Sequence, residues 1–213
     1  MNTKKYYDEV YYTRENRIVA MLGFSNKEVV KERQFIFKWV LKTNPKQILD
    51  LGCGKGHFTH YLFSKGYNVT GVDISTKIVN YAKKTYPRCR FLVHNVETTP
   101  LKHKYDFIYS MQVLEHIFDL NRFLTNISQA LNPKGILILA TPNILAPKIR
   151  LKVLFGIDST FRDLAHLRFF SPSHLKEIVI KNGFKIEELT GTGRLSLLSV
   201  NLSGNVLLTV SKL

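Results

Sequence analysis

Five short apolar runs constrain this chain most: Ile48 to Leu51, Asn68 to Val72, Arg90 to His94, Tyr105 to Ser110 and Gly135 to Ala140. Each is continuous rather than alternating in polarity, as expected of strands covered on both faces. Amphipathic helical patterns separate them. One carries Ile78, Val79 and Ala82 behind a Ser75 cap, and another carries Phe123, Leu124, Ile127 and Leu131 after Asp119 and stops at Pro133. Ser171-Pro172 opens a later helix with Leu175, Ile178 and Val179, which Gly183 closes. Strand and helix in alternation predict an α/β fold with a mostly parallel sheet and helices on both faces. Phe184 to Leu189 and Asn205 to Val210 read as two final strands.

Between the first strand and the helical pattern His57 to Lys65 lies Asp50-Leu51-Gly52-Cys53-Gly54-Lys55-Gly56. Glycines in such a turn let the backbone approach a ligand and adopt angles that a Cβ blocks, while the helix start offers free N–H groups. The spacing is D-x-G-x-G-x-G rather than the G-x-G-x-x-G of dinucleotide binders, which weakens a pyrophosphate reading. Asp73 stands 21 positions beyond Gly52, at the carboxyl end of the second strand, where ligands of open α/β sheets bind. Its carboxylate can accept from both hydroxyls of a ribose; the structural alternative, capping the next helix, suits Ser75 better.

The glycine turn resembles the first motif of class I S-adenosylmethionine-dependent methyltransferases, and the later motifs follow in order over roughly residues 46 to 143. The resemblance implies a Rossmann-like seven-stranded sheet whose last strand is antiparallel, with S-adenosyl-L-methionine as cofactor. By that resemblance Asp50 sits near the methionine amino group, Asp73 binds the ribose and Asn95 meets the adenine amine, while Gly52, Gly54, Gly56, Ile74 and Val96 complete the cofactor-binding set. The family usually carries Asp where Asn95 stands. Ser110 and Gln112 fall where the family lines the methionine side.

Leu114-Glu115-His116 resembles the L-E-H segment of ubiquinone-pathway O-methyltransferases and of methyltransferases acting on sugars and lipids. Methyl transfer from a sulfonium needs an aligned nucleophile and removal of its proton, so His116 is a candidate base. A short helix starting near Gln112 would put Gln112, Glu115 and His116 on one face, with His166 approaching from the segment after the fifth strand. That set resembles the magnesium site of small-RNA 3′-end 2′-O-methyltransferases, with Gln112 in place of a glutamate. Losing a carboxylate weakens affinity for a hard cation, so no metal is assigned, and Glu115, His116 and His166 are read as substrate-positioning groups.

A chain of 213 residues suits one domain: a helical lead-in over 1–44, a cofactor-binding core over 45–143 and a substrate cover with the final helix and strand pair over 144–213. Ser25 to Glu28 fits a capping box for the lead-in helix, and Tyr6, Tyr7, Tyr11 and Tyr12 are candidates for the cover. The start lacks the apolar stretch of a signal peptide and no run reaches membrane-spanning length, so a cytoplasmic enzyme is expected. Cys53 and Cys89 have no metal-ligand spacing and are read as reduced.

Thirty-one Lys and Arg against 16 acidic residues give a net charge of +15, which favours an anionic partner unless it reflects a lysine-rich source. Lys148, Arg150, Lys152 and Arg168 are expected to form a basic rim near the acceptor. The combined reading is an O-methyltransferase of a small, sugar- or lipid-linked acceptor. Its competitors are an RNA 3′-terminal 2′-O-methyltransferase with a degenerate magnesium site and a non-catalytic cofactor-binding partner protein. Nucleic acid is the less favoured partner. The basic amphipathic segment over 143–163 is read as packing on the sheet or covering the substrate pocket, with peripheral membrane contact the less favoured alternative.

Overall fold

A computed structural model describes residues 27–156 and 166–212. Helix α1 spans Lys27–Thr43, and β1 (Ile48–Leu51), α2 (His57–Ser64), β2 (Val69–Asp73), α3 (Thr76–Thr85), β3 (Arg90–Val93) and β4 (Tyr105–Met111) follow. After a single 3-10 turn at Leu114–His116 come α4 (Leu120–Ala130), β5 (Leu131–Pro142), α5 (Pro147–Leu154), α6 (Pro172–Lys181), β6 (Phe184–Gly191) and β7 (Asn205–Lys212). The strands form one sheet of order β3-β2-β1-β4-β5-β7-β6. Strands β1 to β5 pair in parallel, and β7 runs antiparallel to both β5 and β6. The expected α/β architecture with an inserted antiparallel last strand is therefore present.

Continuous apolar strands have both faces covered. On one side Ile36, Trp39 and Val40 of α1 and Phe58 and Leu62 of α2 pack over Ile48, Phe107, Tyr109 and Ile138. On the other, Phe123, Leu124 and Ile127 of α4 and Leu175 and Val179 of α6 pack over Leu49, Leu51, Ile108 and Leu139. Trp39 Nε1 donates to Glu188 at 3.0 Å and joins the lead-in helix to β6.

The expected caps form: Ser75 accepts from Ile78 N, Asp119 from Arg122 N and Ser171 from His174 N. Gly183 closes α6 at φ 78°. One boundary differs. Helix α4 ends at Ala130, so Leu131 belongs to β5 rather than to the helical stripe. Pro133 disfavours helical geometry at Asn132, whose side chain instead donates to Asp106 at 2.8 Å. The β4–β5 register shifts between Tyr105 and Phe107 to absorb the irregular residues that follow. The capping residues Ser25 and Asn26 and the four early tyrosines lie outside the described residues.

Candidate active site

The order places β1 and β4 side by side although they are distant in sequence, and the chain leaves them in opposite directions. Such a reversal opens a crevice at the carboxyl ends of the strands. A cavity of about 320 Å³ occupies it, lined by the glycine turn, Asp73 and Ile74, His94 to Glu97, Met111 to Val113, His116, and Val29, Glu32 and Arg33 of α1.

Gly52, Gly54 and Gly56 all have positive φ, at 81°, 51° and 77°. A side chain at Gly52 would collide with Val113, and one at Gly56 with Phe91. At Gly54 nothing stands within 4 Å, so the turn is open on the cavity there. The turn is fixed to β2 because Gly52 N and Cys53 N both donate to Val72 O, at 2.8 and 2.9 Å.

Asp73 is buried, and its carboxylate accepts from Gly54 N at 3.0 Å and Ser75 N at 2.9 Å. A carboxylate has about four acceptor positions, so these bonds leave capacity for ribose hydroxyls. Ser75, not Asp73, caps α3. Asn95 Oδ1 accepts from Glu97 N at 3.0 Å and Thr98 N at 3.4 Å, so an adenine amine would share an oxygen already engaged by its own loop. Ile74 and Val96 supply apolar wall on either side of that loop.

Asp50 lines the cavity although it is 3% exposed. Thr59 Oγ1 donates to it at 2.5 Å. Burial pushes its carboxyl up to about 6, against the pull of Thr59, Tyr109 and the Arg33 charge. Burial, and after it the neighbouring Asp50, pushes the Tyr109 hydroxyl's pKa up, and that hydroxyl finds no hydrogen-bond partner of normal geometry among the described residues. Burial lowers the Arg33 pKa, opposed by Asp50.

Ser110 is fully buried within β4 and is not part of the cavity wall; Met111, Gln112 and Val113 are. Gln112 does not begin a helix. Its φ is 55°, its N–H donates to Ala140 O at 2.8 Å, and its side chain turns to Glu32 at 2.8 Å. The expected face shared with Glu115 and His116 is therefore absent.

The remaining three residues do meet. Glu115 and His116 lie in the 3-10 turn, both buried, with His116 Nε2 3.9 Å from Glu115 Oε1. Thr141 donates to the other oxygen of Glu115 at 3.0 Å. Leu167 N and Arg168 N donate to Glu115 O at 2.9 and 3.3 Å, and this attachment brings the His166 ring to 4.9 Å from the His116 ring. One donor atom of each of Glu115, His116 and His166 lies within 4.8 Å of the others, close enough to share a cation. Arg168 does not extend the expected basic rim, since its guanidinium donates to Ile117 O and Phe118 O at 2.6 Å.

Glu32 and Arg33 are absent from the sequence-based site. They occupy an otherwise apolar stripe with Val29, Ile36 and Val40, and charges at such positions are the signal that could have found them.

A crevice at the strand ends, a glycine turn and an acidic residue closing the second strand define a nucleoside-binding α/β protein. The family model described as a methyltransferase domain matches residues 21–189. The chain is 32% identical over 158 residues to the ubiquinone biosynthesis O-methyltransferase of Rickettsia typhi, covering 68% of this chain and 62% of that one. The Rickettsia prowazekii enzyme of the same name is 31% identical over 157 residues, with 68% and 61% covered. The aligned part thus spans somewhat under two thirds of these relatives.

Among solved structures, the magnesium protoporphyrin IX methyltransferase of Synechocystis PCC 6803 superposes with a TM-score of 0.70 at 20% identity, covering 99% and 98% of the two chains. An S-adenosylmethionine-dependent methyltransferase of Clostridium acetobutylicum superposes at 0.72 with 14% identity, covering 95% and 99%. The chain belongs to this methyltransferase domain family, among the class I S-adenosylmethionine-dependent methyltransferases.

Proposed function

We propose that the chain is an S-adenosylmethionine-dependent methyltransferase acting on a hydroxyl of a small, sugar- or lipid-linked acceptor. The observation that carries this reading is the position of His116, which lines the cofactor cavity while standing against Glu115 and His166. The O-methyltransferase relatives support the same choice of acceptor atom.

The cavity suits the cofactor. Asp73 takes the ribose hydroxyls, Ile74 and Val96 enclose the adenine with Asn95 at its edge, and the open backbone at Gly54 admits the chain that links them. Asp50 faces the methionine ammonium, with Arg33 close enough for its charge to act on Asp50. When bound, S-adenosylmethionine supplies a methyl group on a sulfonium whose leaving group is already good.

The chain's own residues align the acceptor and manage one proton. His116 accepts the hydroxyl proton at an imidazole nitrogen, and the Glu115 carboxylate stabilises the resulting imidazolium. Thr141 fixes Glu115 in that orientation. His166, whose ring stands 4.9 Å from that of His116, positions the acceptor.

The grouping of Glu115, His116 and His166 also favours a second reading, an RNA 3′-terminal 2′-O-methyltransferase that places a divalent cation among them. Methyl transfer assayed on catechols, quinone precursors, lipid-linked sugars and short RNAs, with and without chelator, separates the two. Chelator-resistant transfer to a small hydroxyl supports the first, and chelator-sensitive transfer to an RNA 3′ end would replace it.

A further inference from the structure

We propose that the carboxyl edge of the sheet docks on an anionic lipid bilayer through α5 and the β6–β7 connection. Helix α5 buries none of its own side chains. Leu151, Leu154 and the following Phe155 are 57%, 77% and 71% exposed, and their i, i+3, i+4 spacing puts them on one face. The expectation that this segment packs on the sheet is not met by these side chains.

A second exposed group stands at the same edge. Strands β5 and β6 are each antiparallel to β7, so they run in the same direction and the β6–β7 connection returns to the end from which α5 leaves. Leu197 and Leu198 in that connection are 94% and 78% exposed. Asn143, at the root of α5, holds the connection by donating to Ser203 O at 3.0 Å and Asn201 O at 3.2 Å. The two groups are therefore attached to one anchor.

Charge selects the occupant. Residues 143–156 contain Lys148, Arg150 and Lys152 and no acidic residue, and residues 192–204 contain no acidic residue. A second copy of this chain would bring these cations against their equals, with no carboxylate in either segment to complement them. Protruding leucines and a phenylalanine flanked by cations instead match an interface where apolar side chains enter the acyl boundary and Lys and Arg meet anionic headgroups.

The surface adjoins the acceptor side of the cavity. Ile144 N donates to Phe170 O at 2.9 Å, joining the root of α5 to the segment that carries His166 and is itself fixed to Glu115. A bilayer bound there would present a lipid-embedded hydroxyl next to His116. That last step rests on the proposed function; the docking does not.

The test is co-sedimentation of the full chain with phosphatidylcholine vesicles and with vesicles containing phosphatidylglycerol, at low and high salt. Binding only to the anionic vesicles, weakened by salt, is expected. Lys148→Gln with Arg150→Gln should weaken it by roughly thirtyfold, from about 1 kcal/mol for each cation near the surface. Leu151→Ser with Leu154→Ser, and Leu197→Ser alone, should weaken it without changing calorimetric S-adenosylmethionine binding or thermal unfolding. Absence of anionic-vesicle binding, or binding indifferent to all three variants, would overturn the proposal. So would a dimer in sedimentation velocity that the α5 variants dissociate while vesicles remain unbound. Failure of cofactor binding in the parent chain would count against the proposed function and leave this result separately readable.

Discussion

Gln112 donates a 2.8 Å hydrogen bond to Glu32 across eighty positions of sequence. Glu32 is fully buried on α1 and also accepts from Asn205 Nδ2 at the start of β7. One carboxylate thus joins the lead-in helix, the turn after β4 and the antiparallel strand. It also draws the Gln112 side chain away from Glu115 and His116, while the backbone there takes φ 55°.

Replacing Glu32 with Ala should therefore strip partners from two amides at once. Buried donors left unpaired cost about 1 to 3 kcal/mol each, so urea unfolding should show a loss of roughly 2 to 6 kcal/mol. Glu32→Gln keeps one acceptor and should lose less. Equal stability for Glu32→Ala and the parent would mean that the network contributes nothing.

This pair also marks the limit of what could be read from sequence. The glycine turn, Asp73 and the helix caps depend on neighbours within a few residues or on strand ends, so local pattern located them. The convergence of His166 on His116 was legible from the resemblance of the motif. The course of Gln112 was not, because it depends on Glu32, whose burial is decided by how α1 lies on the sheet. Ser110 was misplaced for a related reason. Neighbouring strand residues face opposite sides, and one residue of register decides which lines the cavity. The end of α4 at Ala130 reflects Asn132 finding Asp106, a tertiary contact that periodicity does not encode.

Asp73 should carry much of the cofactor affinity. Two charge-assisted hydrogen bonds at roughly 1.5 to 3 kcal/mol each predict a loss of about 10² to 10⁴ in S-adenosylmethionine binding for Asp73→Ala. Because the same carboxylate holds Gly54 N and Ser75 N, thermal unfolding should fall slightly as well. Asp73→Asn retains acceptors for those amides and should lose less of both. Calorimetry showing unchanged affinity for the alanine variant would remove the ribose assignment.

Asp50 predicts a pH dependence of defined sign. Its carboxyl is raised from 3.8 to about 6 chiefly by burial, so the folded state holds the proton that the unfolded state releases. Stability should therefore decline as pH rises from about 4 to 6 and then level off, with a contribution of about 3 kcal/mol from this group. Asp50→Asn should remove that decline, matching the parent near pH 4 and exceeding it above pH 6 in urea unfolding. If Asp50 meets the cofactor ammonium as proposed, cofactor affinity should move the other way, strengthening through pH 6 as the carboxylate forms. A parent chain whose stability is flat over this range would show that Asp50 titrates normally.

His116 decides between base chemistry and a metal centre. With Gln112 held by Glu32, the donors gathered at His116 among the described residues are one carboxylate and two imidazoles, and that carboxylate already accepts from Thr141. Magnesium prefers oxygen ligands in near-octahedral arrangement, so this set suits it poorly. Activity should survive chelator, and His116→Ala should lower turnover by about 10² to 10⁴, the range for loss of a general base. Gln112→Glu should not create magnesium dependence, because the new carboxylate would face Glu32 at hydrogen-bond distance and disfavour ionisation of both. It should instead make stability fall as pH rises above the usual carboxylate range, without improving turnover. Abolition of activity by chelator with restoration by magnesium would reverse the assignment and make Glu115, His116 and His166 ligands rather than proton-handling groups.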